Sequence, residues 1–119
     1  MKEEEIKTVH RMNLQPGPFA MIKSGKKDVE MRLNDERRKN IFPGDIIIFA
    51  HTETGEELVV EVLRLKRFSN FEQLYRSYPK TRLGYLENEE ANPNDMAKYY
   101  DKSQMEKYGA LAIEIALMK

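Results

Sequence analysis

The chain reads as a single α+β domain: a small, strongly curved, mostly antiparallel β-sheet that closes toward a barrel, with short helices at its periphery. Three observations predict this. Apolar and charged residues alternate at 29–33, and every second residue is apolar through 110–117, which is the two-residue period of a strand. Two strong turn sequences, Phe42-Pro43-Gly44-Asp45 and Thr52-Glu53-Thr54-Gly55, separate neighbouring apolar runs by hairpin-length gaps, which favours antiparallel neighbours. Phe71, Leu74, Tyr75 and Tyr78 recur at helical spacing inside a connection. A length of 119 residues fits one core, and 40% hydrophobic residues are enough to fill it.

Residues 1–7, rich in Lys and Glu, read as a charged, frayed lead-in. Residues 9–14 form a first strand, ended by Gln15-Pro16-Gly17-Pro18. A short helix follows over 18–24, with Phe19 and Ile22 inward and Gly25 as its left-handed stop. Val29, Met31 and Leu33 alternate with Asp28, Glu30 and Arg32, which predicts a half-buried strand with one apolar and one charged face. Residues 34–40 are a polar connection with room for one helical turn. Ile46-Ile47-Ile48-Phe49 is apolar on both faces and should be covered on both.

Residues 58–68 make a long, bent strand. Ser69-Asn70-Phe71-Glu72 has the form of a capping box opened by Ser69, and Pro79 ends the helix that follows. Residues 81–91 are a polar loop with acids at Glu87, Glu89 and Glu90. Asn92-Pro93 caps a helix that runs through about Tyr100. Asp101 or Ser103 caps another short turn ending at Gly109. In the last strand, residues 110–117, the side chains of Leu111, Ile113, Ile115 and Leu117 share one face. Met12, Met21, Met31, Met96 and Met105 read as core filler.

Composition excludes several function classes. Lys plus Arg number 20, as do Asp plus Glu, so the formal net charge is zero. That disfavours bulk electrostatic capture of duplex nucleic acid and leaves room for a local basic cleft. The absence of cysteine removes disulfides, Cys-type zinc sites and a thiol nucleophile. His10 and His51 lack the spacing of a ligand pair, so neither a metal nor a cofactor is expected. No apolar run reaches membrane-spanning length, and the opening segment is too acidic for a signal peptide. A cytoplasmic protein with no membrane partner is the expectation.

The stretch richest in chemistry is Gly25-Lys26-Lys27-Asp28-Val29-Glu30-Met31-Arg32, of the form Gly-x-Lys-x-x-Glu-x-Arg. Arg32 offers a planar fork suited to a phosphate or a base edge. Lys27 offers a compact charge or, as desolvated lysines do, a base or nucleophile. Glu30 can accept from an exocyclic amine such as cytosine N4, or shuttle a proton. Strict alternation puts Glu30 and Arg32 on one face and Lys27 on the other. Lys27 joins them only from the turn after Gly25. Two arrangements stay open: a shared cleft, or a Glu30–Arg32 salt bridge with Lys27 solvated.

Tyr99 and Tyr100 are adjacent on a helix and point apart, so one belongs to the core and the other is free to stack on a base. The basic runs Arg37-Arg38-Lys39 and Arg64, Lys66, Arg67 either rim a cleft and attract phosphate or form a solvated face. Ser69 and Ser103 read as helix caps and lack the Gly-x-Ser-x-Gly context of a nucleophile.

The Gly25-x-Lys27-x-x-Glu30-x-Arg32 motif, Pro43-Gly44-Asp45 before an apolar strand, and Tyr99-Tyr100 followed by Glu106-Lys107-Tyr108-Gly109 occur in this order along nearly the whole chain. Together they resemble the ASCH domain family of the PUA-like superfamily. The resemblance implies one ASCH domain over residues 1–119, with a PUA-like β-barrel of five or six strands ringed by short helices. It also implies a cleft where the motif side chains meet, and RNA or a nucleoside or nucleotide as partner.

One branch of small bacterial ASCH proteins hydrolyses the acetamide of N4-acetylcytidine with a Lys, a Thr and a Glu, and other members are described as ribonucleases. Lys27 matches that Lys. The Thr position falls on Glu30, a departure that removes the hydroxyl, and Glu90 aligns with the acidic residue through a loop. Candidate ligand-binding residues are therefore Lys27, Glu30, Arg32 and Tyr99. Candidate catalytic residues are Lys27, Glu30 and Glu90, for an amidohydrolase acting on a modified nucleoside or for a ribonuclease. A third reading is a protein-interaction module with a flat, uncharged surface in place of the cleft.

Overall fold

The structure, a computed structural model, describes residues 7–118. Of the lead-in expected over residues 1–7, only Lys7 falls among them. The strands are β1 (Val9–Leu14), β2 (Val29–Leu33), β3 (Ile46–His51), β4 (Glu57–Phe68) and β5 (Ala110–Leu117). The helices are α1 (Pro16–Lys23), α2 (Phe71–Arg76) and α3 (Lys102–Tyr108), with 3-10 segments at Glu36–Arg38, Lys80–Leu83 and Pro93–Lys98.

The five strands form one sheet in the order β1-β3-β4-β5-β2, curled into a half-barrel. Three of its pairings are antiparallel, and β1 runs parallel to β3. β1 can do so because α1 and β2 lie between it and β3 in the chain, supplying the crossover a parallel pair requires. β4 pairs with β3 through its first half and with β5 through its second, turning the corner at a bulge between Val62 and Arg64. That bulge is the bend expected in the long strand.

The central strand β5 divides two cores. Leu111, Ile113 and Ile115 pack with Leu14, Phe19, Ile47, Phe49, Val60 and Val62. Ala110 and Ala112, on the opposite face, pack with Val29, Met31, Leu33, Phe71, Leu74 and Met96. Leu117, expected to share the first face, is exposed.

The register of β2 against β5 sets Glu30 beside Ile113 and Arg32 beside Leu111. The charged face of β2 therefore lines the inner side of the half-barrel. Glu30 is buried, so the expected half-exposed strand is in fact covered on both faces.

Other local expectations are corrected in detail. β3 is buried only at Ile47 and Phe49, while Ile46 and Ile48 on its other face remain partly open. The α2 cap is Asn70, whose side chain accepts from Gln73 N, while Gln73 Oε1 accepts from Ser69 N. The cap is thus one residue later than the reading that put Ser69 there. Asp101, with Gln104, makes the capping box of α3. The loop at 81–91 carries a 3-10 turn at its start whose Leu83 is buried, and the segment after Asn92 is 3-10 rather than α. Met31 and Met96 are buried, whereas Met12, Met21 and Met105 are only partly so.

Candidate functional site

β1 and β2 are the two edges of the sheet, and the site forms along the open seam between them. α1 stops at Ser24, and Gly25 takes φ +83°. Lys26 N and Lys27 N then both donate to Met21 O at 3.0 Å, folding the chain back over the helix end. This turn delivers Lys27 to the side of the sheet that carries Glu30 and Arg32. Strand alternation alone would have sent it the other way.

The three ionic side chains meet. Lys27 is 6% exposed; its Nζ donates to Leu83 O at 3.0 Å and lies 3.3 Å from Glu30 Oε1. Arg32 donates to Glu30 Oε2 from Nε at 2.9 Å and from Nη2 at 2.8 Å. Arg32 Nη2 also donates to Asn13 O at 2.8 Å, latching one edge strand to the other. Met31 N donates to Glu30 Oε1 at 3.1 Å. Gly84 lies over the Lys27 stem with φ +105°; a Cβ there would sit 3.0 Å from Lys27 Cδ. Glycine at 84 is thus what lets the loop close on the lysine.

Burial by itself would push the Glu30 carboxyl up. The Lys27 ammonium and Arg32 guanidinium, with the hydrogen bonds from Arg32 and Met31 N, outweigh it and hold the group below the usual carboxylate range. Burial likewise pushes the Arg32 guanidinium down, and the Glu30 charge beside it more than restores it. The cluster is two cations around one carboxylate.

This cluster floors a cleft of about 730 Å³. Met21, Met31, Leu83, Met96 and four tyrosines supply apolar walls. Its other charged lining residues are Lys98, Glu89 and Asp95, so cations and carboxylates balance across the whole lining. On one wall the Tyr75 and Tyr85 hydroxyls are 2.8 Å apart, and Tyr85 donates to Asp95 Oδ2 at 2.8 Å. Burial first, then the hydrogen bonds with Tyr75 and Asp95, push the Tyr85 phenol far up, so it stays a neutral donor. Tyr100 packs face to face on Phe71 and stands beside Arg32. Tyr99 sits on the rim, 51% exposed.

Of the residues singled out in the sequence, the structure brings Lys27, Glu30, Arg32 and Tyr99 to one cleft. Glu90 is exposed and lies outside the lining, because the loop turns it to solvent; its neighbour Glu89 faces the cleft instead. Arg37 and Arg38 line a second, smaller concavity, whereas Arg64, Lys66 and Arg67 on β4 line neither. His10 bonds Asp45, and His51 Nδ1 accepts from Glu53 N and Thr54 N in the β3–β4 turn. Among the described residues no group of three His, Asp or Glu side chains is placed to hold a metal, and no helix is long and apolar enough to cross a membrane. Sequence reading missed Asn13, Tyr75, Gly84, Tyr85 and Asp95. The one available signal was an aromatic residue, Tyr85, stranded in a polar loop.

A family model for the ASCH domain matches residues 12–119. Among solved structures, the crystal structure of the hypothetical protein PH0355 is 34% identical over 93% of this chain and all of its own, with a TM-score of 0.81. The solution structure of protein PF0455 from Pyrococcus furiosus is 30% identical over 94% of this chain and 99% of its own, with a TM-score of 0.72. The ASCH protein ZmASCH from Zymomonas mobilis shares the fold at 17% identity, with a TM-score of 0.64 over 92% of this chain and 68% of its own. No curated protein matches the chain. With nearly its whole length matched by the family model and its seam-side cleft built on the motif that suggested the kinship, this chain belongs to the ASCH domain family.

Proposed function

We propose that the cleft binds a nucleobase presented by RNA or by a free nucleoside or nucleotide, held by Lys27, Glu30 and Arg32 at the floor and by Tyr99 at the rim. The observation that carries this reading is the buried Lys27–Glu30–Arg32 cluster facing an apolar, tyrosine-walled cavity. Burying three charges is costly, and a well-packed apolar set of similar volume is often at least as stable, so stability alone gives weak reason for such a cluster. Glu30 engages its cations through both oxygens, leaving Lys27 and Arg32 with donor capacity toward an acceptor in the cleft. A base offers carbonyl and ring-nitrogen acceptors together with a flat face, which suits donors at the floor and phenol rings on the walls. The balanced charge of the lining fits one base better than a run of phosphates.

Calorimetric titration with short single-stranded RNAs and free nucleosides tests the reading. Arg32→Ala and Lys27→Ala should each weaken binding on the order of tenfold or more. Affinity that survives both substitutions sinks it.

A second reading is a hydrolase acting on N4-acetylcytidine or on RNA, favoured by the 3.3 Å approach of the buried Lys27 Nζ to the Glu30 carboxylate. Held ionised, Glu30 can take a proton at neutral pH but not give one. Glu30 is then the proton acceptor and the Lys27 ammonium beside it the proton donor, while Glu90 lies outside the cleft lining. Incubation with N4-acetylcytidine and with a short labelled RNA, followed by chromatography, decides this. Absent turnover, or turnover persisting in Lys27→Ala, rules it out.

A further inference from the structure

The second concavity, about 530 Å³, adjoins the cleft at the Arg32–Asn13 latch, whose residues line both. Its charged lining is Arg11, Arg32, Arg37 and Arg38, and none of its lining residues is acidic. Alternation along β1 turns Arg11 and Asn13 to the outer face, next to Ile48 and Ala50 of β3. The 3-10 turn at Glu36–Arg38 brings Arg37 and Arg38 over that face.

The arginines are unevenly committed. Arg11 pairs with Glu57 in an exposed, well-screened contact. Arg38 is held by Asp35 at 2.7 Å. Arg37 is exposed and makes no ion pair among the described residues. Counting Lys27 and the partner carboxylates Glu30, Asp35 and Glu57, five cations face three anions around this seam.

Arg32 and Asn13 line both concavities. Arg32 uses Nε and Nη2 on Glu30 and Asn13 O, and Nη1 lies outside those bonds. One guanidinium therefore partitions an apolar cleft from an arginine pocket. A ribose likewise joins a base to its phosphate, so two concavities that share Arg32 and Asn13 suit the two ends of one nucleotide. Arginine forks match phosphate oxygens in geometry as well as charge.

We propose that the arginine pocket takes the phosphate of a nucleotide whose base occupies the cleft, so that the ligand is a nucleotide or a single-stranded RNA segment and not a bare nucleoside. The proposal rests on the reading that the cleft holds a base. It divides the work: the cleft recognises the base, and the pocket supplies the charge that the balanced cleft lacks.

The test is calorimetry at low salt with the four nucleosides and their 5′- and 3′-monophosphates, on the wild type and on the double variant Arg11→Ala/Arg37→Ala. Both substituted residues are exposed, and a thermal melt checks that the fold is kept. At least one monophosphate should bind on the order of tenfold tighter than its nucleoside, and added salt should erode that gain. In the double variant the gain should vanish while nucleoside affinity stays unchanged. Equal affinity for nucleoside and monophosphate, or a gain that survives the double variant, overturns the proposal and leaves base binding in the cleft standing. No binding by any of these nucleosides and monophosphates, nor by short single-stranded RNAs titrated alongside them, overturns both together.

Discussion

Glu30 and Asp45 are both carboxylates buried beside apolar strands, 4% and 6% exposed, and both are held below the usual carboxylate range although burial pushes each of them up. Their partners differ in kind. Asp45 accepts from Phe42 N at 3.0 Å and Thr8 N at 3.3 Å, and lies 2.9 Å from His10 Nε2. Its oxygens close the Phe42–Asp45 turn and tie it to the start of β1, and Asp45 lines neither concavity. Glu30 is met instead by two long cationic side chains, one from a turn and one from its own strand, and the group faces a cavity. Burial of a charge does not in itself mark a site. A carboxylate met mainly by backbone donors is a lock on local structure, whereas one met by cationic side chains with donors to spare is equipped to meet a ligand.

The largest expected consequence of this difference lies in Glu30→Ala. Removing the carboxylate leaves two buried cations facing each other, at a cost of about 3–5 kcal/mol in urea denaturation. Asp45→Ala should cost less, about 2–3 kcal/mol, because the donors it leaves are mostly uncharged backbone groups. It should leave ligand affinity unchanged once the protein is folded. A larger loss for Asp45→Ala than for Glu30→Ala would erase the distinction between them.

Acid provides a smaller, graded version of the same test. Both groups have depressed folded values, so the stability they contribute is complete above the ordinary carboxylate range and is lost as pH falls through their folded values, below about pH 4. Glu30→Gln and Asp45→Asn should each flatten the fall of Tm with pH in that window. An unchanged slope in both would show that neither partner set stabilises the charge. Tyr99→Ala should have the smallest effect on stability, within about 0.5 kcal/mol, since the ring is exposed. Yet it should weaken RNA binding by about 1–3 kcal/mol if the ring stacks on a base, measured by fluorescence anisotropy. An affinity loss without a melting shift separates a rim contact from a packing defect.

Much of the scaffold was legible in the residues. Alternation located β2 and β5, the Pro43-Gly44-Asp45 and Thr52–Gly55 turns separated the strands, and Gly25 ended α1 in the left-handed region as expected. The parallel pairing of β1 with β3 was not legible, since nothing local to either strand specifies which neighbour it takes. Nor was the choice between Glu89 and Glu90, adjacent residues of like chemistry that the loop path alone turns in different directions. Tyr75, Tyr85 and Asp95 come from three separate segments and acquire a common role only when α2 and the loops close over the sheet.

The residues dictate local preferences: where the backbone extends, where it turns, and which charged residues stand near the end of α1. Those follow from side-chain period and from φ and ψ, which are properties of a few consecutive residues. That Lys27, Glu30 and Arg32 share one buried cluster is a product of long-range packing, because it depends on the register of β2 against β5 and on the turn that carries Lys27 across. The same holds for the latch from Arg32 to Asn13, which joins strands separated in the sheet by three others and becomes possible only once the sheet curls.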